Sequence, residues 1–366
     1  RKLVRLAYVV THPIQYQAPL LARLAAEPDI ELQVFFSSDL SVRGYTDPGF
    51  GVRVMWDTPL LEGYNYEFLP RVRDKGNRLG FARPINFQIY RRLREGNFDA
   101  VWVHGYHTIN LLRAIVSARA LRLPVFLRTD SNLYDRPRSK AKLKVKRFLA
   151  TLMRRCVTGV LAIGQANAEY WHHYWGEDVP IFPMPYAVDN EFFRRQAKEA
   201  SRHREELRRE LGLEPGRPII LFASKLQLRK RCRDLVEAYL RLAPAPGVDP
   251  KAYLLIVGDG EERASLEELA KASGLSSIRF LGFRNQSALP GFYDLCDVFV
   301  LPSIHEPWGL VINEVMNAGR AVIVTDEVGC QPDLVKDGFN GFVIPSRNID
   351  ALTAVLRRVL ADPAAL

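Results

Sequence analysis

A chain of 366 residues, 48% hydrophobic and 25% charged, exceeds the usual size of one hydrophobic core and is expected to divide into two domains. It has no low-complexity tract and no apolar run long enough to cross a bilayer, which excludes a disordered polymer and a membrane-spanning helix. The net charge of +10 is uneven: residues 1–190 hold 27 Lys+Arg against 17 Asp+Glu, and the remainder 24 against 24, so the first half is expected to meet something anionic.

In chain order, "RKLVRLAYVVTHP" has a short apolar stretch and no small-residue cleavage site after it, so it reads as a first strand rather than a leader. Apolar runs then alternate with helix-period segments, the pattern of parallel sheets covered on both faces. The expected strands of the first half are Leu3–Val10, Leu32–Phe36, Ala100–Val103, Pro124–Leu127, Gly159–Ile163 and Ile181–Met184. Those of the second half are Ile219–Ala223, Tyr253–Val257, Ile278–Leu281, Val298–Leu301, Ala321–Val324 and Gly341–Ile344. Residues 187–218 are charged and end in Pro-Gly turn chemistry, so the boundary falls near 190. The expectation is an α/β protein of two Rossmann-like domains, 1–190 and 191–366, with a cleft between the carboxyl ends of their strands.

Strand exits of the first half carry polar side chains. His12, Gln15 and Tyr16 follow the first strand, His104 and His107 follow the third, and Arg128 and Asp130 follow the fourth. All but His104 are candidates for the acceptor side, and His104 is the candidate catalytic histidine. The plainer reading makes the histidines satisfied loop residues and Arg128 with Asp130 an internal ion pair. Residues 139–156, "SKAKLKVKRFLATLMRRC", place Ala141, Val145, Phe148, Leu149, Leu152, Met153 and Cys156 on one helical face and Lys140, Lys144, Arg147, Arg154 and Arg155 on the other. Two readings follow: a helix docked on anionic lipid, or one packed on its own sheet with a solvated basic face. No nucleic-acid recognition motif or stacking platform accompanies the charge.

The second half supplies ligand chemistry. "LPSIHEPWGLVINEVMNAG" turns from a strand through Gly309 into a helix at Leu310, whose first-turn amides suit phosphate oxygens. Carboxylates beside an anion repel it unless their targets are hydroxyls, so Glu306 and Glu314 flanking phosphate donors suggest a sugar nucleotide. Lys225 and Lys230 in "SKLQLRKR" are point charges for a diphosphate, and the turns at Gly258 and at Gly282-Phe283-Arg284 let backbone approach a base or ribose. Trp308 belongs to the expected hexose pocket. As surface residues, the two lysines and Glu314 would need no ligand, and Trp308 would be a packing anchor.

With these residues in order, the chain resembles the retaining, GT-B-fold glycosyltransferases called family four, or group one. The resemblance implies that Lys225 and Lys230 hold the diphosphate, Glu306 the transferred sugar and Glu314 the ribose hydroxyls, with Gly309 and Leu310 giving backbone N–H groups. Lys225, Lys230, Glu306 and His104 would carry catalysis. Ser224-Lys225 stands where that family has Gly-Arg, so bidentate phosphate gripping is lost. It also implies a further helix after "VLADPAAL".

The function expected is transfer of a hexose from a nucleotide diphosphate sugar, UDP-sugars favoured, to a hydroxyl acceptor such as a lipid-linked glycan, with retention. The nucleotide sugar is a substrate, and no cofactor is expected. The chain lacks an Asp-x-Asp cluster, so no metal is expected either. Cys156, Cys232, Cys296 and Cys330 have no paired spacing, which fits a reducing cytoplasm and a protein peripheral on the inner face of the cell membrane. A sugar-nucleotide 2-epimerase, or a non-catalytic sugar-nucleotide-binding protein, would share the fold.

Overall fold

The computed structural model describes residues 3–47, 49–72, 79–134 and 140–362, without the side chains of 140–142 and 145. The chain divides into two compact units, one of residues 1–45 and 54–186, the other of 46–53 and 187–366. The excursion 46–53 is a feature that a boundary at 190 does not anticipate.

Up to residue 186 the strands are β1 Val4–Val10, β2 Ile30–Phe36, β3 Tyr45–Thr46, β4 Arg53–Val54, β5 Asn65–Phe68, β6 Ala100–His104, β7 Val125–Arg128, β8 Gly159–Ala162 and β9 Ile181–Pro183, with β3 and β4 at the two ends of the excursion. Seven of them form one parallel sheet in the order β5-β2-β1-β6-β7-β8-β9, while β3 and β4 pair separately across the excursion. Order reverses at β1, between β2 and β6, so the exits of β1 and β6 lie at the switch point where such sheets bind ligands. β5 was not legible, because "NYEF" is an exposed edge with no apolar run.

The second unit has β10 Ile219–Ala223, β11 Tyr253–Val257, β12 Ile278–Gly282, β13 Val298–Leu301, β14 Ala321–Thr325 and β15 Gly341–Ile344. They form one parallel sheet, β12-β11-β10-β13-β14-β15, that reverses at β10. Every residue of β10, β11 and β13 is buried, as a sheet covered on both faces requires. Its core gathers Phe222, Leu235, Tyr239, Ile256, Val300, Ile323 and Leu356. Residues 187–218 are helical at Asn190–Arg202 and Arg204–Glu210, and the paired bonds of Arg204 to Asp294 at 2.6 and 2.8 Å tie them to this unit. The bidentate geometry makes that tie more specific than a point contact.

Helix Lys140–Arg154 corrects the expected face. Ala150 is buried, its carbonyl accepts the Trp175 Nε1–H at 2.8 Å, and Lys146 lies 4.8 Å over the rings of Tyr170 and Tyr174. Phe148, Leu149 and Leu152, which the sheet-packed reading would put inside, are 64%, 56% and 44% exposed. Turning the helix so that 146, 150 and 153 face the core leaves its apolar stripe in water. Lys140, Ala141 and Val145 lie outside the described side chains. Among the described residues no helix is long and apolar enough to cross a membrane.

Candidate active site

In the second unit the polar residues gather where β10, β11, β12 and β13 end. Ser224 donates its N–H to the Val257 carbonyl at 3.1 Å, and Gly258 donates to that of Gly282 at 2.9 Å, so three strand exits are knitted together. At Gly258, with φ +138°, a Cβ would lie 1.9 Å from the Ser224 carbonyl oxygen. Its role is this close backbone approach. Asp259 accepts from its neighbour Gly260 and from Arg263 at 2.9 and 2.6 Å, which makes it a turn and helix-start residue.

Beside these turns is a cavity of about 120 Å³ lined by Phe50, Gly258, Phe283, Arg284, Tyr293 and Glu314 among others. Glu314 accepts from the Tyr293 hydroxyl at 2.6 Å. Desolvation raises its pKa to about 7, against the lowering effect of that hydrogen bond. A half-buried carboxyl of this kind accepts well from hydroxyl donors once ionised, and it is not the solvated helix residue of the plainer reading.

Glu306 is buried and receives the Lys230 ammonium directly, with Arg229 Nη1 at 3.3 Å. Burial alone would raise the Glu306 carboxyl, but Lys230 and Arg229 outweigh it and hold it below the usual range. Lys230 and Glu306, expected to serve phosphate and sugar separately, therefore satisfy each other. Arg229 was missed, although the expected gap was the lack of an arginine here. Its only signal was its place in "LQLRKR". Lys225 makes bonds of 2.7 and 2.9 Å to the two carboxylate oxygens of Asp47.

Gly309, at φ +93°, caps helix Leu310–Met316 as expected, and the helix's first amides begin at the β13 exit. Trp308 is buried, and its Nε1–H is given to Asn313 at 2.9 Å.

The first unit arranges its strand exits otherwise. His104 ends β6 with Nδ1 2.8 Å from the Tyr8 hydroxyl and Nε2 3.2 Å from that of Tyr186. Burial, then the charge of Arg128, drives its pKa down to about 3, so it stays neutral. Both ring nitrogens are engaged inside the unit. Arg128 is fully buried too. It gives Nη2 to the carbonyls of Met184 and Pro185 at 3.0 and 3.2 Å and lies 4.7 Å over the Tyr186 ring, so it fastens the end of β9 rather than an acceptor hydroxyl.

The histidine left outside is His107, exposed at the β6 exit. His12 stands within electrostatic reach of it, 2.8 Å from the Thr11 hydroxyl, and burial followed by His107 lowers its pKa to about 4. Gln15 is half-buried, Asp130 is exposed, and Tyr16 hydrogen-bonds Tyr186 at 3.4 Å. His12 and His107 thus stand near each other at the exits of β1 and β6. Residues 79–87, unmarked in the sequence, fold over the same exit: Phe81 accepts the Ile109 N–H at 2.8 Å, and Asn86 and Asn110 exchange side-chain bonds in the interior.

Residues 203–366 match the family model described as Glycosyl transferases group 1. An alpha-D-kanosaminyltransferase of Streptomyces kanamyceticus is 32% identical over half of this chain and 46% of its own length. The lipopolysaccharide core biosynthesis glycosyltransferase LpsE of Rhizobium meliloti is 35% identical over 40% of each chain. The chain thus spans less than half the length of these curated relatives. Among solved structures, Anabaena HepE in complex with UDP and glucose superposes with a TM-score of 0.70 at 19% identity, over 99% of this chain and 91% of that one. WaaG, titled a glycosyltransferase involved in lipopolysaccharide biosynthesis, gives 0.67 at 17% identity over 98% and 91%. The fold is GT-B.

Proposed function

We propose that the protein transfers a hexose from a nucleoside diphosphate sugar, UDP-sugars first, to a hydroxyl acceptor, with retention of configuration and without a metal. One observation carries this reading: at the strand exits of the second sheet, Lys225, Arg229 and Lys230 and the helix start at Gly309 stand in the same loops that border a cavity whose wall includes Glu314, a carboxyl tuned to about 7. HepE, which shares the fold, was crystallised with UDP and with UDP-glucose, and the kanosaminyltransferase and LpsE are named for sugar transfer. Lys225, Arg229, Lys230 and the Gly309–Leu310 amides take the charge growing on the departing diphosphate, and Glu314 takes the ribose. Glu306, ionised, holds Lys230 in place and faces the transferred sugar. The leaving phosphate accepts the acceptor's proton, and His107 is the first unit's own candidate catalytic group.

A panel of nucleotide sugars tested for thermal stabilisation checks the donor, since a ligand bound only by the folded form raises its midpoint. A UDP-sugar is expected to give the largest shift, and Glu314→Ala to abolish most of it. An unchanged shift in that variant removes the ribose assignment, and conversion of the donor without acceptor makes the protein an epimerase. Anomeric analysis of the product, and activity retained in chelator, check retention and metal independence.

The exposed Phe148, Leu149 and Leu152 beside exposed Lys144 and Arg147 favour an acceptor held at an anionic membrane surface, on the cytoplasmic side. Phe148→Asp with Leu152→Asp is expected to release the protein from phosphatidylglycerol vesicles without changing donor binding. Equal sedimentation of wild type and variant refutes the docking.

A further inference from the structure

The excursion of residues 46–53 packs with the second unit, yet the function proposed above gives it no work. Asp47 has little solvent exposure and reaches both ways. Its carboxylate takes the Lys225 ammonium at 2.7 and 2.9 Å, and Oδ1 also accepts the N–H groups of Gly49 and Phe50 at 2.7 and 3.0 Å. One side chain therefore shapes the turn and fastens it beside β10. The Phe50 ring stands edge-on to Phe283, with centroids 4.8 Å apart and planes at 72°, and the Lys225 ammonium lies 4.8 Å from its centroid. The turn after β11 makes room for it: at Gly260, φ +153°, a Cβ would lie 2.9 Å from the Gly49 carbonyl oxygen. Phe50 thereby becomes a wall of the cavity that Glu314 and Arg284 also line.

A cavity of about 120 Å³ is the size of a single flat ring system rather than a whole nucleotide, and an aromatic wall with a ribose-binding carboxyl nearby suits a base. Resting on the donor reading above, we propose that Phe50 is the face on which the donor's nucleobase lies, and that Asp47 sets it there while occupying Lys225 until a diphosphate displaces it. The two anions compete for one ammonium, so Asp47 opposes the phosphates while Phe50 holds the base. Base recognition then draws on a residue more than 170 positions before the lysine it sits under.

Calorimetry on the full chain with UDP, GDP, ADP and inorganic pyrophosphate separates these parts. Phe50→Ala is expected to weaken the best-bound nucleoside diphosphate about tenfold, the scale of losing one stacked base, and to leave pyrophosphate within twofold. Phe50→Tyr restores binding. Asp47→Asn keeps an oxygen for the two turn amides but removes the competing charge, and is expected to tighten pyrophosphate several-fold. Unchanged nucleotide affinity in Phe50→Ala, or equal losses for nucleotide and pyrophosphate, overturns the proposal. So does weaker pyrophosphate binding in Asp47→Asn. A wild type that binds none of the three nucleotides overturns the donor reading itself, a different failure from a wild type that binds one of them irrespective of residue 50.

Discussion

Both units end their parallel strands in polar residues, but they treat them in opposite ways. The first unit turns His104, Arg128, Tyr8 and Tyr186 inward, where each meets a hydroxyl, a carbonyl or a ring, and leaves His107 outside. The second unit keeps Lys225, Arg229 and Lys230 charged at its strand exits, with Asp47 and Glu306 as interim partners, and sets Glu314 in the wall of a cavity. A buried neutral network rigidifies a strand exit, whereas ion pairs beside a cavity can be exchanged for a ligand's charges. The contrast separates residues that hold the scaffold from residues we propose to meet substrate, although both sets occupy the same kind of position.

The largest expected effect breaks the buried pair. Glu306→Ala leaves Lys230 without its main partner and is expected to cost about 3–5 kcal/mol of stability, measured by denaturant unfolding. Glu306→Leu with Lys230→Met should recover most of that stability and none of the transfer activity. Recovery of activity would show that the pair serves only the fold.

The histidines test the contrast directly. His104→Phe removes the partner of two hydroxyls and is expected to lower stability by about 1–3 kcal/mol. His107→Ala should leave the unfolding midpoint where it is and slow turnover by roughly 10²-fold, the scale of losing one donor to developing charge. The reverse pattern would return the catalytic role to His104.

Smallest is the response to pH. Glu314, raised to about 7 by burial, must ionise to accept ribose hydroxyls, so UDP affinity is expected to rise about tenfold between pH 6 and pH 8 in calorimetry. Its contribution to the fold runs the other way. A carboxyl whose folded pKa lies above the unfolded value favours the protonated native state, so stability declines as pH rises from about 4.5 to about 7. Glu314→Gln should flatten both dependences, and a UDP affinity that still climbs with pH in that variant assigns the titration to another group.

Much of this was open to a reader of the sequence, because its cause is local. Apolar runs such as Ile219–Ala223 and Tyr253–Val257 make buried parallel strands wherever the chain supplies cover, and Gly258 and Gly309 mark backbone positions that few other residues can take. The gathering of Lys225, Lys230, Glu306 and Glu314 followed from strand ends lying side by side in one sheet.

What only the tertiary structure decided was the partner of each polar group. His104 and His107 stand three residues apart in one motif, and nothing local tells which of them Tyr8 and Tyr186, 96 and 82 residues away, will take up. The same holds for Asp47, 178 residues from the lysine it engages, and for the rotation that put Phe148 in water and Ala150 in the core. Spacing along a chain fixes periodicity and turn chemistry, but a hydrogen bond or ion pair depends on atoms that meet only after the sheets have formed, and those meetings set which residues remain to bind a substrate.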